Sequence, residues 1–227
     1  MLDYIDISFG VNAAADTLAS EPMPSWFRLT DGEFDVRIGA RTIYSTQAGV
    51  RYYVARLWED LVAVEPYALE AVPDPIVDVV SDVQRWAATV DDIMERTPGE
   101  TRPGGALAWW TNRLIDSSYL SKGPECGFLR VDAEVRIIRS VPGGSPEVLC
   151  VNSEQFSAEV ARFDRRFIDT MAARLDEAES SGLVSPASME TLRLDHDDRA
   201  RYRSSVAGYV PTDWKAVVRS LEQLSVL

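Results

Sequence analysis

Residues 26–45, WFRLTDGEFDVRIGARTIYS, decide the fold class. Phe34, Val36 and Ile38 alternate with Asp35 and Arg37, a period of two that gives a strand one dry face and one wet face. Asp31-Gly32 separates WFRLT (26–30) from EFDVRI (33–38). That dipeptide suits a tight hairpin, because its turn positions need positive φ, which Gly and Asp tolerate best. Gly39-Ala40 then leads into RTIYS (41–45), and a short strand near Tyr4 to Phe9 joins the same sheet. The opening reads as an antiparallel meander.

Downstream the period changes to 3.6. Val50, Tyr53, Val54, Leu57, Leu61 and Val64 predict an amphipathic helix over 49–65, ended by Pro66. Ile76, Val79, Val80, Val83, Trp86, Ala87, Val90, Ile93 and Met94 predict a second, with Asp74, Asp78 and Asp92 on its far face. The Pro- and Gly-rich run 97–105, TPGETRPGG, reads as a mobile loop, and a third helix covers Ala106 to Tyr119. A second strand group follows at Gly127–Val131, Glu134–Arg139 and Glu147–Val151. Ser153 can cap a helix whose stripe is Phe156, Val160, Phe163, Phe167, Met171 and Leu175, with Gly182 at its end. Ser185-Pro186 starts another helix, and Thr212 caps a last one. The expected class is α+β: antiparallel sheet from the meander and the second strand group, packed with about five or six helices. The two strand groups could merge into one sheet with helices on a single face. The chain reads as a single domain over 1–227, with 97–105 as the place to subdivide it into 1–96 and 106–227.

Charge is distributed unevenly. From Glu59 to Arg96 there are ten acidic residues against Arg85 and Arg96, eight of the chain's thirteen net negative charges. Such a band repels nucleic acid and anionic membranes and attracts basic partners. No stretch approaches the ~20 apolar residues that span a bilayer. The opening MLDYIDISFG lacks the basic and apolar regions of an export signal, so the expected location is the cytoplasm, with Cys126 and Cys150 reduced.

WFRLTDGEFDVRIGARTIYS followed by RYYVARLWEDL (51–61) resembles an uncharacterised bacterial domain family. In that family a Trp-bearing hairpin with a Thr-Asp/Glu-Gly turn precedes a Tyr-Tyr-Val-x-Arg-Leu-Trp-Glu-Asp-Leu helix. LIDSSYL (114–120), GPECGFLR and the Phe156-to-Leu175 helix are similar to its later segments, so the resemblance covers about residues 25–175. The family is a domain of unknown function, which implies a fold and no activity. A looser likeness of composition is to the immunity proteins of toxin systems.

Candidate site residues fall into two sets. Trp58, Glu59 and Asp60, with Asp74, Asp78 and Asp82, would make an acidic partner-facing edge; the plainer reading is a rim tryptophan beside solvated acids. Trp109 and Trp110, about 100° apart on a helix, with Arg113, Asp116 and Tyr119, could line a polar-aromatic ligand pocket. There Asp116 and Tyr119 are the candidate catalytic groups, with loop 97–105 as a lid; the plainer reading is a helix end with local ion pairs. DHDDR (195–199) holds the only histidine, His196, and reads as a solvated acidic turn rather than a metal or general-base site. No metal or cofactor is expected, and no nucleophile elbow or phosphate loop marks an enzyme. Two function classes result: a non-enzymatic immunity or inhibitor protein meeting a basic protein, or a small-molecule enzyme or ligand-binding protein of a biosynthetic pathway.

Overall fold

The computed structural model describes residues 3–14, 25–46, 52–82, 84–86, 88–90, 104–115, 126–139, 145–204 and 209–223. The strands are β1 (Ile5–Val11), β2 (Asp31–Ile38), β3 (Arg41–Ser45), β4 (Tyr52–Tyr53), β5 (Leu114–Ile115), β6 (Cys126–Val131), β7 (Glu134–Arg139) and β8 (Glu147–Asn152). The helices are α1 (Val54–Ala68), α2 (Asp74–Ser81), α3 (Gly104–Thr111), α4 (Ser153–Ser181), α5 (Pro186–Ala200) and α6 (Trp214–Gln223), with one 3-10 turn at Arg28–Thr30. The class is α+β, with two antiparallel four-stranded sheets rather than one merged sheet. The chain divides into two compact units. One holds Ile5–Ala63 and Ala158–Gly208; the other holds Met1–Tyr4, Val64–Ser157 and Tyr209–Leu227.

In the first unit β2 is central, pairing with β1 on one side and with β3 and β4 on the other. The expected Asp31-Gly32 hairpin is absent: both residues lie inside β2, opposite Tyr53 and Tyr52 of β4. Gly32 is needed for close approach, since a Cβ there would stand 2.1 Å from the Gly10 carbonyl oxygen. The turn of the meander is Gly39-Ala40 instead, where Gly39 has φ of 56°. Residues 26–30 form no strand. They make the 3-10 turn, and the Thr30 hydroxyl accepts the Ala55 N–H at the start of α1. The first helix therefore begins at Val54, later than expected, because Tyr52 and Tyr53 are recruited to the sheet.

The stripe of α4 is as its spacing predicts, with Val160, Phe163, Phe167, Met171 and Leu175 fully buried. Phe9 of β1 meets Phe163 and Phe167 edge-on at 5.4 and 5.8 Å. The buried Glu159 carboxylate of α4 accepts the Ile7 N–H at 2.9 Å. This satisfies an edge amide of β1 and puts a charge where another strand would otherwise pair. Gly182 terminates α4 with φ of 67°, and Ser185 caps α5 by accepting the Ser188 N–H.

In the second unit the order is β5-β6-β7-β8. Ile76, Val79 and Val80 of α2, Trp109 and Trp110 of α3 and Leu221 of α6 share one core cluster with Leu129, Val131 and Ile138 of the sheet. Gly105 lets α3 approach α6, since its Cβ would meet the Ala216 carbonyl oxygen at 2.5 Å.

Several expected boundaries move here, each for a local reason. Pro66 sits inside α1 rather than ending it; only one helix bond is lost, and Leu69 N–H still reaches the Glu65 carbonyl. The second helix stops at Ser81 because Asp82 takes an extended conformation and its carboxylate accepts the Arg85 N–H, opening a new turn. The third helix stops at Thr111 instead of reaching Tyr119. Arg113 closes its last turn onto the Trp110 carbonyl, and Leu114 and Ile115 pair with β6. Asn152, not Ser153, caps α4 by accepting the Glu154 and Gln155 N–H groups. Asp213, not Thr212, caps α6 by accepting the Ala216 N–H.

Candidate functional site

Three side-chain groups carry enough charge or polarity to act. The first is the outer face of α2. Ile76, Val79 and Val80 point into the core, so Asp74 and Asp78, four residues apart, share the solvent side, and Asp82 follows just past the helix end. All three are exposed. Among the described residues neither Asp74 nor Asp78 has an ion-pair partner, and Asp82 spends one oxygen on the Arg85 amide. Asp92 lies outside the described residues.

The second group lies in the other unit. Trp58 is fully buried; its indole N–H donates to Asp164 at 2.8 Å, and its rings pack on Trp26 and Phe167. Glu59 is half-buried and held by Arg199 at 2.6 Å and Arg56 at 3.7 Å. Asp60 is half-buried beside it. Thus of the six residues expected at a partner-facing edge, Asp74 and Asp78 share one face of α2 and Asp82 lies just past its end, while Trp58, Glu59 and Asp60 belong to α1 in the other unit. Nearby, His196 Nδ1 accepts the Trp26 indole N–H at 3.3 Å, and the Arg199 guanidinium stands 4.5 Å over the Trp26 ring. His196 is therefore bound into a core margin rather than forming a free acidic turn.

The third group surrounds Arg113. Its side chain has no exposed surface, and its guanidinium lies 5.4–5.8 Å over the rings of Tyr67, Trp109 and Trp214. It donates to the Glu70 carboxylate, to the Thr212 hydroxyl at 3.2 Å and to the Trp109 carbonyl at 3.0 Å. Glu70 also accepts the Thr212 N–H at 2.9 Å, the Thr212 hydroxyl and the Tyr209 hydroxyl at 2.7 Å. Burial works to raise the Glu70 pKa, but the hydrogen bonds from Thr212 and Tyr209 and the charge of Arg113 outweigh it and hold the carboxyl below its ordinary range. Burial, together with the Glu70 charge, pushes the Tyr209 phenol up to about 12. Trp109 and Trp110 are both buried and pack with Trp86 at centroid distances of 5.3 and 5.0 Å. Among the described residues, the indole N–H groups of Trp86, Trp109 and Trp110 and the Arg113 Nε–H are buried without an acceptor. Asp116 and Tyr119, which would complete the expected pocket, lie outside the described residues, as does most of loop 97–105.

Sequence reasoning missed Glu70 and Thr212 as partners of Arg113, Tyr209 as a donor to Glu70, and Asp164 as the partner of Trp58. No local signal marks these pairs: Arg113 stands 43 positions from Glu70 and 99 from Thr212, and Trp58 stands 106 from Asp164. Cys126 is buried, and burial pushes the Cys150 thiol up, so both are poor nucleophiles.

A family model described as a family of unknown function, DUF5984, matches residues 11–220. The chain belongs to DUF5984. The match contains the Trp26-to-Leu61 and Phe156-to-Leu175 segments on which the family resemblance rests. No curated protein and no solved structure matches the chain. Within this DUF5984 chain, no described helix is long and apolar enough to cross a membrane.

Proposed function

We propose that this DUF5984 member is a non-enzymatic binding protein of the immunity or inhibitor kind, meeting a basic protein partner through the acidic face of α2. One observation carries the reading: Asp74 and Asp78 are exposed on one helical face with no opposing cation among the described residues. Where a structural role is evident, as for Glu59 and Glu70, the acids of the same band are engaged by arginine. Complementary charge of this kind raises association rate and fixes orientation. On this reading the protein works in the bacterial cytoplasm, and its partner is a toxin-like protein whose basic surface serves its own target.

The test is association kinetics with a basic protein encoded beside this chain. Asp74→Asn combined with Asp78→Lys leaves the Asp82 cap intact. It should slow association about tenfold or more at low salt and much less at 0.5 M salt, where screening has already removed the attraction. Equal rates for variant and wild type at low salt would sink the reading.

The four acceptorless donors around Trp109 and Arg113 favour a second reading, a small molecule rich in acceptor oxygens bound between Trp109 and Tyr119. The weight is against it, since these atoms are sealed from solvent. T-shaped packing of Trp86 against Trp109 and Trp110 also offers the indoles ring faces as weak acceptors.

A further inference from the structure

We propose that the Trp26–His196 contact is an acid-sensitive latch: neutral His196 holds α5 on the tryptophan-lined core of its unit, and protonated His196 releases that helix. The argument starts from what an indole can do. Its N–H donates and never accepts. The Trp26 ring is fully buried, and its N–H points at His196 Nδ1 from 3.3 Å, with the ring centroids 6.3 Å apart and inclined by 30°. Nδ1 must therefore present a lone pair, so His196 is neutral and carries its proton on Nε2. Protonation would set two donors against each other and strand the indole N–H in the core.

The helix has little else to hold it. Among its described residues α5 buries only Met189 and Leu192. Its remaining attachments are made by two arginines: Arg193 pairs with Asp176 and Glu179 of α4, and Arg199 pairs with Glu59 of α1 and stands 4.5 Å over the Trp26 ring. Segments with few buried apolar groups open first.

The charged neighbours set the direction. On α5 itself, Asp195 and Asp197 favour the imidazolium and Arg193 opposes it. Arg199 is occupied by Glu59 and Asp195. From α4, Asp164 is taken by the Trp58 indole, and Asp176 and Glu179 by Arg193. From α1, Glu59 is taken by Arg199, and Asp60 stands near Tyr202. Burial is the largest influence, and it holds His196 below its ordinary 6.5. A depressed histidine contributes stability that is complete above the unfolded value. That stability drains as pH falls below 6.5 and is spent once the folded value is passed.

The experiment uses the full chain. As the only histidine, His196 gives one imidazole proton resonance, whose titration reports its pKa directly. Nitrogen shifts report the tautomer. A pKa below 6.5 with the proton on Nε2 is expected; an Nδ1–H tautomer at neutral pH would overturn the latch. His196→Gln offers an amide oxygen to Trp26 and does not titrate. At pH 5, α5 amides of wild type should exchange at least tenfold faster than those of His196→Gln, and at pH 7.5 the two should match. Equal exchange at pH 5 would also overturn it. Should His196→Gln fail to fold, Trp26→Phe removes the donor, and the His196 pKa should then rise; an unchanged pKa counts against the proposal.

Discussion

Arg113 is the residue on which the second unit's polar interior turns. A guanidinium with no exposed surface is tolerable only because it is paired and hydrogen-bonded, and Glu70 supplies both. Glu70→Ala should therefore destabilise the protein by about 3 kcal/mol in urea unfolding, the low end for breaking a buried pair, because Glu70 keeps some contact with water. Replacing both, as Glu70→Leu with Arg113→Met, should recover most of that loss; a double variant as unstable as the single one would show that the pair is not the cause. The pH sign follows from the depressed Glu70 pKa. Its contribution is present above the ordinary 4.5 and lost as pH falls through the lower folded value. Glu70→Gln should remove that acid-limb loss while leaving the shape of the network in place.

At the scale of elements, what could be read from the sequence was periodicity with a buried partner. The α4 stripe and β6, β7 and β8 were legible to within about a residue, because every second or every third-to-fourth residue meets a core. What could not be read was chemistry between distant segments. Asp31-Gly32 looks like a hairpin turn, yet two other strands claim those residues. Trp109 and Trp110 look like neighbours about 100° apart on a long helix, together lining a pocket, yet Trp86 lies against both and both are buried. The charged face of α2 was legible, since Asp74 and Asp78 need no partner to be placed; the environments of Trp58 and Arg113 were not, since Asp164 and Glu70 are remote. The two glycines make the distinction measurable. If Gly39 serves the turn, Gly39→Asn should cost about 1 kcal/mol or less, as Asn tolerates positive φ. If Gly32 serves close approach, Gly32→Asn should cost about 3 kcal/mol or more, because the neighbour is strand backbone that cannot turn aside. Comparable costs by thermal unfolding would restore the hairpin reading of Asp31-Gly32.

For the whole molecule, the net charge of −13 and the titrating groups pull stability in opposite directions with pH. Self-repulsion falls as pH approaches the sequence pI of about 4.5, which taken alone would place maximum stability there. Against this, His196 loses its neutral form below 6.5 and Glu70 loses its charge below 4.5, each with a folded pKa depressed by its contacts. The repulsion is the weaker term wherever salt is present, because the exposed acids of α2 face water and the Debye length is only ~8 Å at 0.15 M. The site-bound groups are partly or wholly sealed and feel little screening. The melting temperature at 0.15 M salt should therefore peak above pH 6.5, well away from the pI, and fall steadily toward pH 4.5. At 0.01 M salt and pH 7.5, where repulsion reaches ~30 Å, it should be a few degrees lower than at 0.15 M, and Asp74→Asn with Asp78→Asn should narrow that gap. A melting temperature that rises toward pH 4.5 would mean that bulk charge rather than the two buried contacts governs the stability of this chain, and one that drops when salt is added at pH 7.5 would mean that attractive ion pairs outweigh the repulsion.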